Sequence, residues 1–187
     1  YDLSGPTHHC LEDINIIRCL PRVMVHSPAD TGLFSTAFRY FMDNGSIVYH
    51  RFDSKPQTVL EIDETNVFED GFRQLLKEEG ARELFVSTGY ASQVCFQNLK
   101  EHRKHPADLI DVYLIGKYPG DRLKKTIESY DKITVVSEEF RYASGLGTFI
   151  TAGLENIPSL NIIGFDDYDI KLGGRKDIWA RANIDIK

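Results

Sequence analysis

Short apolar segments alternate with longer amphipathic segments along most of this 187-residue chain. Residues 23–26 are apolar and β-branched, which predicts a buried strand. Apolar residues between positions 33 and 41 then recur at the three- and four-residue spacing of one helix face. Strands separated by helices form βαβ units around a mainly parallel sheet. The sequence therefore predicts an α/β fold, organised as two α/β/α-type units.

The predicted elements divide the chain at an acidic segment. The first unit covers residues 1–56, residues 57–72 form a linker without Lys or Arg, and the second unit covers residues 73–187. In the first unit we predict a helix at 12–19, a strand at 23–26, a helix whose apolar face covers residues 33–41, and a strand at 46–52. Asp30 is the predicted N-cap of the second helix, and Asn44-Gly45 is its predicted end. In the second unit we predict strands at 84–87, 109–115, 133–137 and 160–164. We predict helices in the same unit at 92–102, 121–130, 147–154 and 177–182. Asp121 is the predicted cap of its helix, and Val94, Phe96 and Leu99 are predicted to face inward. Residues 72–78 have helical periodicity between Gly71 and Gly80, and their assignment stays open.

The composition excludes several classes of protein. A net charge of −6 provides no basic stripe for nucleic acid, and no apolar run approaches the ~20 residues that cross a bilayer. Three widely spaced cysteines fit reduced thiols better than a disulfide framework, and no secretory leader is visible. We therefore expect a cytoplasmic protein without nucleic-acid or membrane partners.

Two polar clusters could support chemistry. The stretch from Ser4 to Cys10 places Thr7, His8 and His9 on a Gly-Pro turn, where an imidazole could donate to an anionic oxygen or move a proton. A capping Thr with two surface histidines is an equal alternative. A metal site is disfavoured because adjacent side chains diverge. Arg51 and Lys55 follow the second strand, where cations face the ligand crevice of an α/β fold or are simply solvated. The glycine-rich turn 144–148 is better explained by close packing than by phosphate binding, since Glu138 and Glu139 precede it.

Four short motifs keep their order near the N-terminal end: G-P-T-H-H at 5–9, E-D at 12–13, R-C-L-P at 18–21 and S-P-A-D at 27–30. Further along, T-G at 88–89, E-E at 138–139, G-L-G at 145–147 and G-F-D at 164–166 fit the same series. Together they resemble the transketolase family, and the related deoxyxylulose phosphate synthases share much of the pattern. The resemblance covers nearly the whole chain.

The resemblance implies an enzyme that moves a two-carbon ketol unit between sugar phosphates with thiamine diphosphate and Mg²⁺. Residues 1–56 would be the end of its pyrimidine-binding domain and residues 73–187 its complete C-terminal domain. The family's cofactor-activating glutamate and its diphosphate and metal domain would lie outside this chain. The fragment is therefore expected to be inactive alone, to need missing N-terminal domains or a partner subunit, and to form a homodimer.

Few residue roles follow from the resemblance. His8 matches the histidine that contacts the donor hydroxyl at the reacting centre, and His9 a neighbouring substrate contact. Arg51 and Lys55 match the end of the site that binds the substrate's phosphate. Ser4 stands where the family commonly has an aspartate for sugar hydroxyls, and no cofactor-binding or metal residue is assigned to this chain.

Two alternative functions remain open. One is the β subunit of a 2-oxo acid dehydrogenase, which has the same two domains but fits the G-P-T-H-H and P-A-D motifs less well. The other is a non-catalytic assembly or regulatory module kept from such an enzyme.

The implied domain content generates a first prediction. This chain alone should bind no thiamine diphosphate tightly, because the resemblance assigns the diphosphate and metal site to another part of the enzyme. Calorimetric titration with the cofactor and magnesium measures this directly. Saturable binding at micromolar concentrations would contradict the domain assignment.

Overall fold

The computed structural model describes residues 9–53, 57–60, 70–102, 105–166, 173–182 and 184. The helices are α1 (Asp13–Ile17), α2 (Thr31–Asp43), α3 (Tyr90–His102), α4 (Asp121–Glu128), α5 (Gly145–Thr151) and α6 (Arg175–Arg181). The strands are β1 (Val23–His26), β2 (Ile47–His50), β3 (Phe72–Leu76), β4 (Glu83–Ser87), β5 (Ala107–Val112), β6 (Leu114–Ile115), β7 (Lys132–Phe140) and β8 (Ser159–Phe165).

Two sheets organise these elements. The larger has the strand order β3-β5-β4-β7-β8, in which β5, β4, β7 and β8 run parallel and β3 is antiparallel to β5. The smaller has the order β2-β1-β6, with β1 parallel to β2 and antiparallel to β6. Buried strands β4, β5 and β7 carry the apolar side chains of the main core. The predicted α/β fold with a mainly parallel sheet is therefore confirmed.

Local signals predicted the start of α2 correctly. The Asp30 carboxylate accepts a hydrogen bond from the Leu33 amide at 2.9 Å, as an N-cap does. Leu33, Ala37 and Phe41 form the buried face, whereas Phe38 is 46% exposed. The apolar face of α2 is thus wider than the part of the helix that is buried.

The structure settles one open assignment and corrects two local predictions. Residues 72–76, whose assignment the sequence left open, form strand β3, because pairing with β5 overrides the helical spacing. In α3 it is Cys95, not Val94 or Phe96, that is fully buried beside Leu99. Helix α4 has Gly120 at its N-cap without a side-chain bond, and Asp121 is its first residue.

The two predicted units share structure. Only Tyr113 separates β5, in the large sheet, from β6, which pairs with β1 in the small sheet. Residues 61–69 of the predicted linker, and residues 54–56 at the end of the first predicted unit, lie outside the described residues. The boundaries at 56 and 72 stay a prediction, but the sheets on either side of them are connected through β6.

A buried ion network joins the same two sheets. The Arg73 guanidinium, on β3, contacts the Asp30 carboxylate at 2.7 Å and the Asp111 carboxylate, on β5, at 3.0 Å. All three side chains are at most 6% exposed. Asp111 also accepts from the Ser92 hydroxyl at 2.7 Å. Burial raises the pKa of Asp111 to about 6, and the charge of Arg73 opposes that rise.

This network generates a stability prediction. Arg73→Met should lower the free energy of unfolding by about 3–5 kcal/mol, because it leaves two carboxylates buried without their cation. Arg82→Met is the matched control: Arg82 pairs with Asp131 on the surface, and such pairs contribute less than about 1 kcal/mol. Urea unfolding measures both variants. Equal losses would show that the buried network does not hold the sheets together.

Candidate functional site

A pocket of about 360 Å³ lies where the carboxyl ends of both sheets meet. Its lining includes Ser27 after β1, Arg51 after β2, Gly89 after β4, Glu138 near the end of β7 and Phe165 at the end of β8. Ligands of α/β folds bind outside the carboxyl ends of parallel strands. This position makes the pocket the candidate functional site.

Arg51 is held in one orientation by an aspartate from α1. Its Nε donates to Asp13 Oδ2 at 2.9 Å, and its Nη2 donates to the Cys10 carbonyl at 3.3 Å. The Tyr49 hydroxyl donates to the same Asp13 oxygen at 3.2 Å. Burial raises the pKa of Tyr49, and the Asp13 charge adds to that rise. The cation that the sequence assigned to phosphate thus already has an anionic partner.

A second arginine closes the pocket from α6. Arg175 pairs with Asp53, just after β2, and its Nε lies 2.8 Å from Glu138 Oε1. Its guanidinium lies 3.9 Å from the centre of the Tyr90 ring. The Trp179 indole donates to Glu138 at 2.8 Å. Helix α6 is therefore fixed to both sheets, an arrangement that no local sequence pattern indicates because its partners are remote in the chain.

The glycine-rich turn beside the pocket is filled by the protein's own carboxylate. Glu139 is fully buried and accepts from the amides of Gly145 at 2.7 Å and Leu146 at 3.1 Å, at the start of α5. A β-carbon on Gly145 would lie 2.8 Å from the Asn15 amide nitrogen and 2.9 Å from Glu139 Oε1. The prediction of close packing at residues 144–148 is therefore correct, and Glu139 occupies the position that a phosphate would take.

Two histidines at the ends of paired strands form a buried contact. His26 ends β1 and His50 ends β2, opposite each other in register, with 3.0 Å between their Nδ1 atoms. One Nδ1 must carry a proton and the other must accept it, so protonating both rings would set two donors against each other. Burial lowers the pKa of His26 to about 3, with His50 adding to the effect. Burial also lowers the pKa of His50, which lines the pocket.

The structure brings two of the four predicted site residues together. His9 is half-buried and lines the same pocket as Arg51. His8 and Lys55, like Ser4, lie outside the described residues. Over the part of the chain that is described, no three His, Cys, Asp or Glu side chains are grouped to hold a metal ion, and no helix is long and apolar enough to cross a membrane.

The fold and its pocket define a module in which two mixed sheets, each with parallel strands, border one pocket. No protein-family model matches the sequence. Its relatives nevertheless bear out the transketolase resemblance. The chain is 25% identical to a subunit of the apulose-4-phosphate transketolase of Phocaeicola vulgatus, over 99% of this chain and 60% of that protein. It is 26% identical to the 1-deoxy-D-xylulose-5-phosphate synthase of Thermotoga maritima, over 97% of this chain and 30% of that one.

Solved structures show the same fold. A split-gene transketolase, described as an inactive β4 tetramer, superposes with a TM-score of 0.77 at 19% identity, over 97% of this chain and 60% of that chain. A mutant transketolase from Pichia stipitis gives 0.73 at 18% identity, over 97% of this chain and 26% of that chain. The chain thus spans less than two thirds of the length of these proteins. These relatives and structures do not favour the alternative that the chain is a subunit of a 2-oxo acid dehydrogenase.

The histidine pair generates a pH prediction. Because the pKa of His26 is about 3 in the fold and about 6.5 when unfolded, unfolding takes up a proton between these values. The contribution of neutral His26 to the free energy of unfolding is therefore complete above pH 6.5 and is lost as the pH falls toward 3. From pH 7 to pH 5 this amounts to about 2 kcal/mol.

Urea unfolding of His26→Phe at both pH values checks this, since the substitution removes the titration of His26 together with its contact with His50. The variant should lose less stability on acidification than the wild type. His102→Gln, at the exposed end of α3, is the control and should keep the wild-type slope. If the free energy of unfolding of His26→Phe fell between pH 7 and pH 5 by as much as that of the wild type, the conclusion that His26 is neutral in the fold would be wrong.

Proposed function

We propose that this chain is the C-terminal portion of a transketolase-like transferase that moves a two-carbon ketol unit between sugar phosphates. Its relatives support this, since they are transketolase subunits and deoxyxylulose phosphate synthases that match nearly all of the chain. Because the chain covers only part of their length, the complete enzyme would include further domains or a partner subunit. The chain alone would be inactive.

The observation that carries the proposal is the juxtaposition of His9 with Arg51 in one pocket. His9 is the last residue of the G-P-T-H-H motif, and it lines the pocket together with Asp13 of α1. We assign His8 to the donor oxygen at which charge develops, and His9 to substrate binding. Arg51 or Lys55 would hold the substrate's phosphate, with Lys55 acting as a point charge and Arg51 as a planar fork.

The cofactors belong to the complete enzyme in this proposal. The described residues do not fit a resident Mg²⁺, since they contain no cluster of three candidate ligands. Following the family resemblance, we assign thiamine diphosphate and Mg²⁺ to the parts of the enzyme outside this chain. When bound, thiamine diphosphate supplies the carbanion stabilisation that ketol transfer requires.

The expected partners follow from the same function. The substrate would be a sugar phosphate, and the protein partners would be N-terminal domains or a separate subunit within a homodimeric assembly. The three cysteines, Cys10, Cys19 and Cys95, are free thiols in the structure, which supports the expectation of a cytoplasmic protein. The net charge of −6 supports the expectation that nucleic acid is not a partner.

Kinetics of the complete, reconstituted enzyme with a phosphorylated ketose donor test this function. His8→Ala should lower kcat by ~100-fold or more, because a donor that strengthens in the transition state is worth roughly 3 kcal/mol. Arg51→Ala and Lys55→Ala should each be measured, and the one that removes the phosphate contact should mainly raise KM.

Two surface residues on the last turn of α3 serve as controls. His102→Ala and Lys100→Ala should leave both kinetic constants unchanged. If His8→Ala kept the wild-type kcat, the G-P-T-H-H motif would have a structural role and not a catalytic one. Turnover of 2-oxo acids instead of sugar phosphates would support the dehydrogenase subunit, and no turnover in a correctly assembled enzyme would support the non-catalytic module.

A further inference from the structure

The segment that follows β2 carries the cations of the proposed phosphate contact. Strand β2 ends at His50, and residues 51–53 continue outside any helix or strand. In the sequence, Asp53 stands two residues after Arg51 and two residues before Lys55. Whichever of these two cations contacts the substrate's phosphate, its position depends on where the backbone around Asp53 lies.

Arg175, on α6, holds this segment from the second predicted unit. Its Nη1 pairs with the carboxylate of Asp53, whose side chain is 10% exposed. Its Nε donates to Glu138 Oε1 at 2.8 Å, and its Nη2 donates to Glu138 Oε2 at 3.2 Å. Two parallel bonds of this kind fix the plane of a guanidinium group relative to a carboxylate. Arg175 thus connects the segment after β2 to strand β7.

Further contacts hold Arg175 and Glu138 in place. The central carbon of the Arg175 guanidinium lies 3.9 Å from the centre of the Tyr90 ring, at the start of α3. Glu138 also accepts from the Trp179 indole at 2.8 Å, one turn further along α6. All three guanidinium nitrogens of Arg175 therefore contact carboxylates of the protein. This favours a role in placing Asp53 over direct contact with a ligand.

The charges of the pocket make the same contact important for a phosphate. Its lining includes the carboxylates of Asp13, Asp53 and Glu138 beside the guanidinium groups of Arg51 and Arg175. Asp13 already pairs with Arg51 at 2.9 Å. Without Arg175, the other two carboxylates would lose their cation, repel an incoming phosphate and compete with it for Arg51.

We propose that Arg175 is a positioning residue for the transferase: through Asp53 it fixes the segment that presents Arg51 or Lys55 to the substrate's phosphate. The phosphate contact rests on the proposed function, whereas the placement of the segment rests on the contacts of Arg175. The family resemblance assigned roles only to residues within 1–56. The inference therefore gives the second predicted unit a part in the site.

Steady-state kinetics of the complete, reconstituted enzyme with D-xylulose 5-phosphate and with D-xylulose test the proposal, because these donors differ only in the phosphate. Arg175→Met should raise KM for the phosphorylated donor about tenfold, since a group misplaced by about 1 Å can cost ~100-fold. KM for D-xylulose should change much less. Loss of folded enzyme would instead lower the apparent kcat with both donors and leave both KM values unchanged.

Arg82→Met is the matched control, because Arg82 pairs with Asp131 at the opposite end of the large sheet. This variant should keep the wild-type KM with both donors. An equal rise of KM in Arg82→Met and Arg175→Met, or the same rise with both donors in Arg175→Met, would overturn the proposal.

Two more variants separate positioning from charge. Arg175→Lys keeps the cation but not the planar fork, so its KM for D-xylulose 5-phosphate should stay at least about fivefold above the wild type. Asp53→Asn should raise the same KM, and adding Arg175→Met to it should raise KM little further, because both changes remove one contact. A purely electrostatic role predicts the opposite for Asp53→Asn, since one negative charge is lost. Wild-type KM in Arg175→Lys, or a lower KM in Asp53→Asn, would overturn the positioning role.

Hydrogen exchange of this chain alone checks the contact without turnover. The amides of residues 51–53 should exchange at least about fivefold faster in Arg175→Met than in the wild type, and at the wild-type rate in Arg82→Met. Unchanged exchange in Arg175→Met would overturn the proposal even if the complete enzyme transfers ketol units. Faster exchange together with an absence of ketol transfer would support the placement of the segment and contradict only the proposed function.

Discussion

One guanidinium group connects the two halves of this structure. Arg73 lies between a carboxylate that follows β1 and a carboxylate on β5, and each of these carboxylates positions a helix. Asp30 caps α2 through the Leu33 amide, and Asp111 holds Ser92 in the first turn of α3. The pocket lies at the carboxyl ends of the sheets that this contact joins. Buried charges are costly to desolvate, and this network compensates by giving each carboxylate additional hydrogen bonds.

The pocket itself is built from paired charges. Asp13 and Arg51 come from the two ends of the first half of the chain, while Arg175 bridges the end of β2 to β7. Such pairs fix the orientation of both partners.

Local patterns were sufficient to predict much of the fold. The apolar run at 23–26 and the Asp30 cap depend on neighbours in sequence, and both were predicted correctly. The resemblance in motifs was confirmed by the relatives of the chain. The assignment of strand β3 stayed open because its partner, β5, lies more than thirty residues away and decides its conformation. The site was harder to predict for the same reason. The contact between His26 and His50 follows from strand register, which no local pattern encodes. The roles of His8, His9, Arg51 and Lys55, and the boundaries of the two units, stay predictions.

The single residue between β5 and β6 has a consequence for how the two halves of the chain are joined. Tyr113 is fully buried, and its carbonyl accepts from the Ser27 amide at 2.9 Å while its own amide donates to the Gly71 carbonyl at 3.0 Å. The Ser27–Tyr113 hydrogen bond therefore joins the earlier and later halves of the chain through main-chain atoms alone, next to the ion network that joins them through side chains.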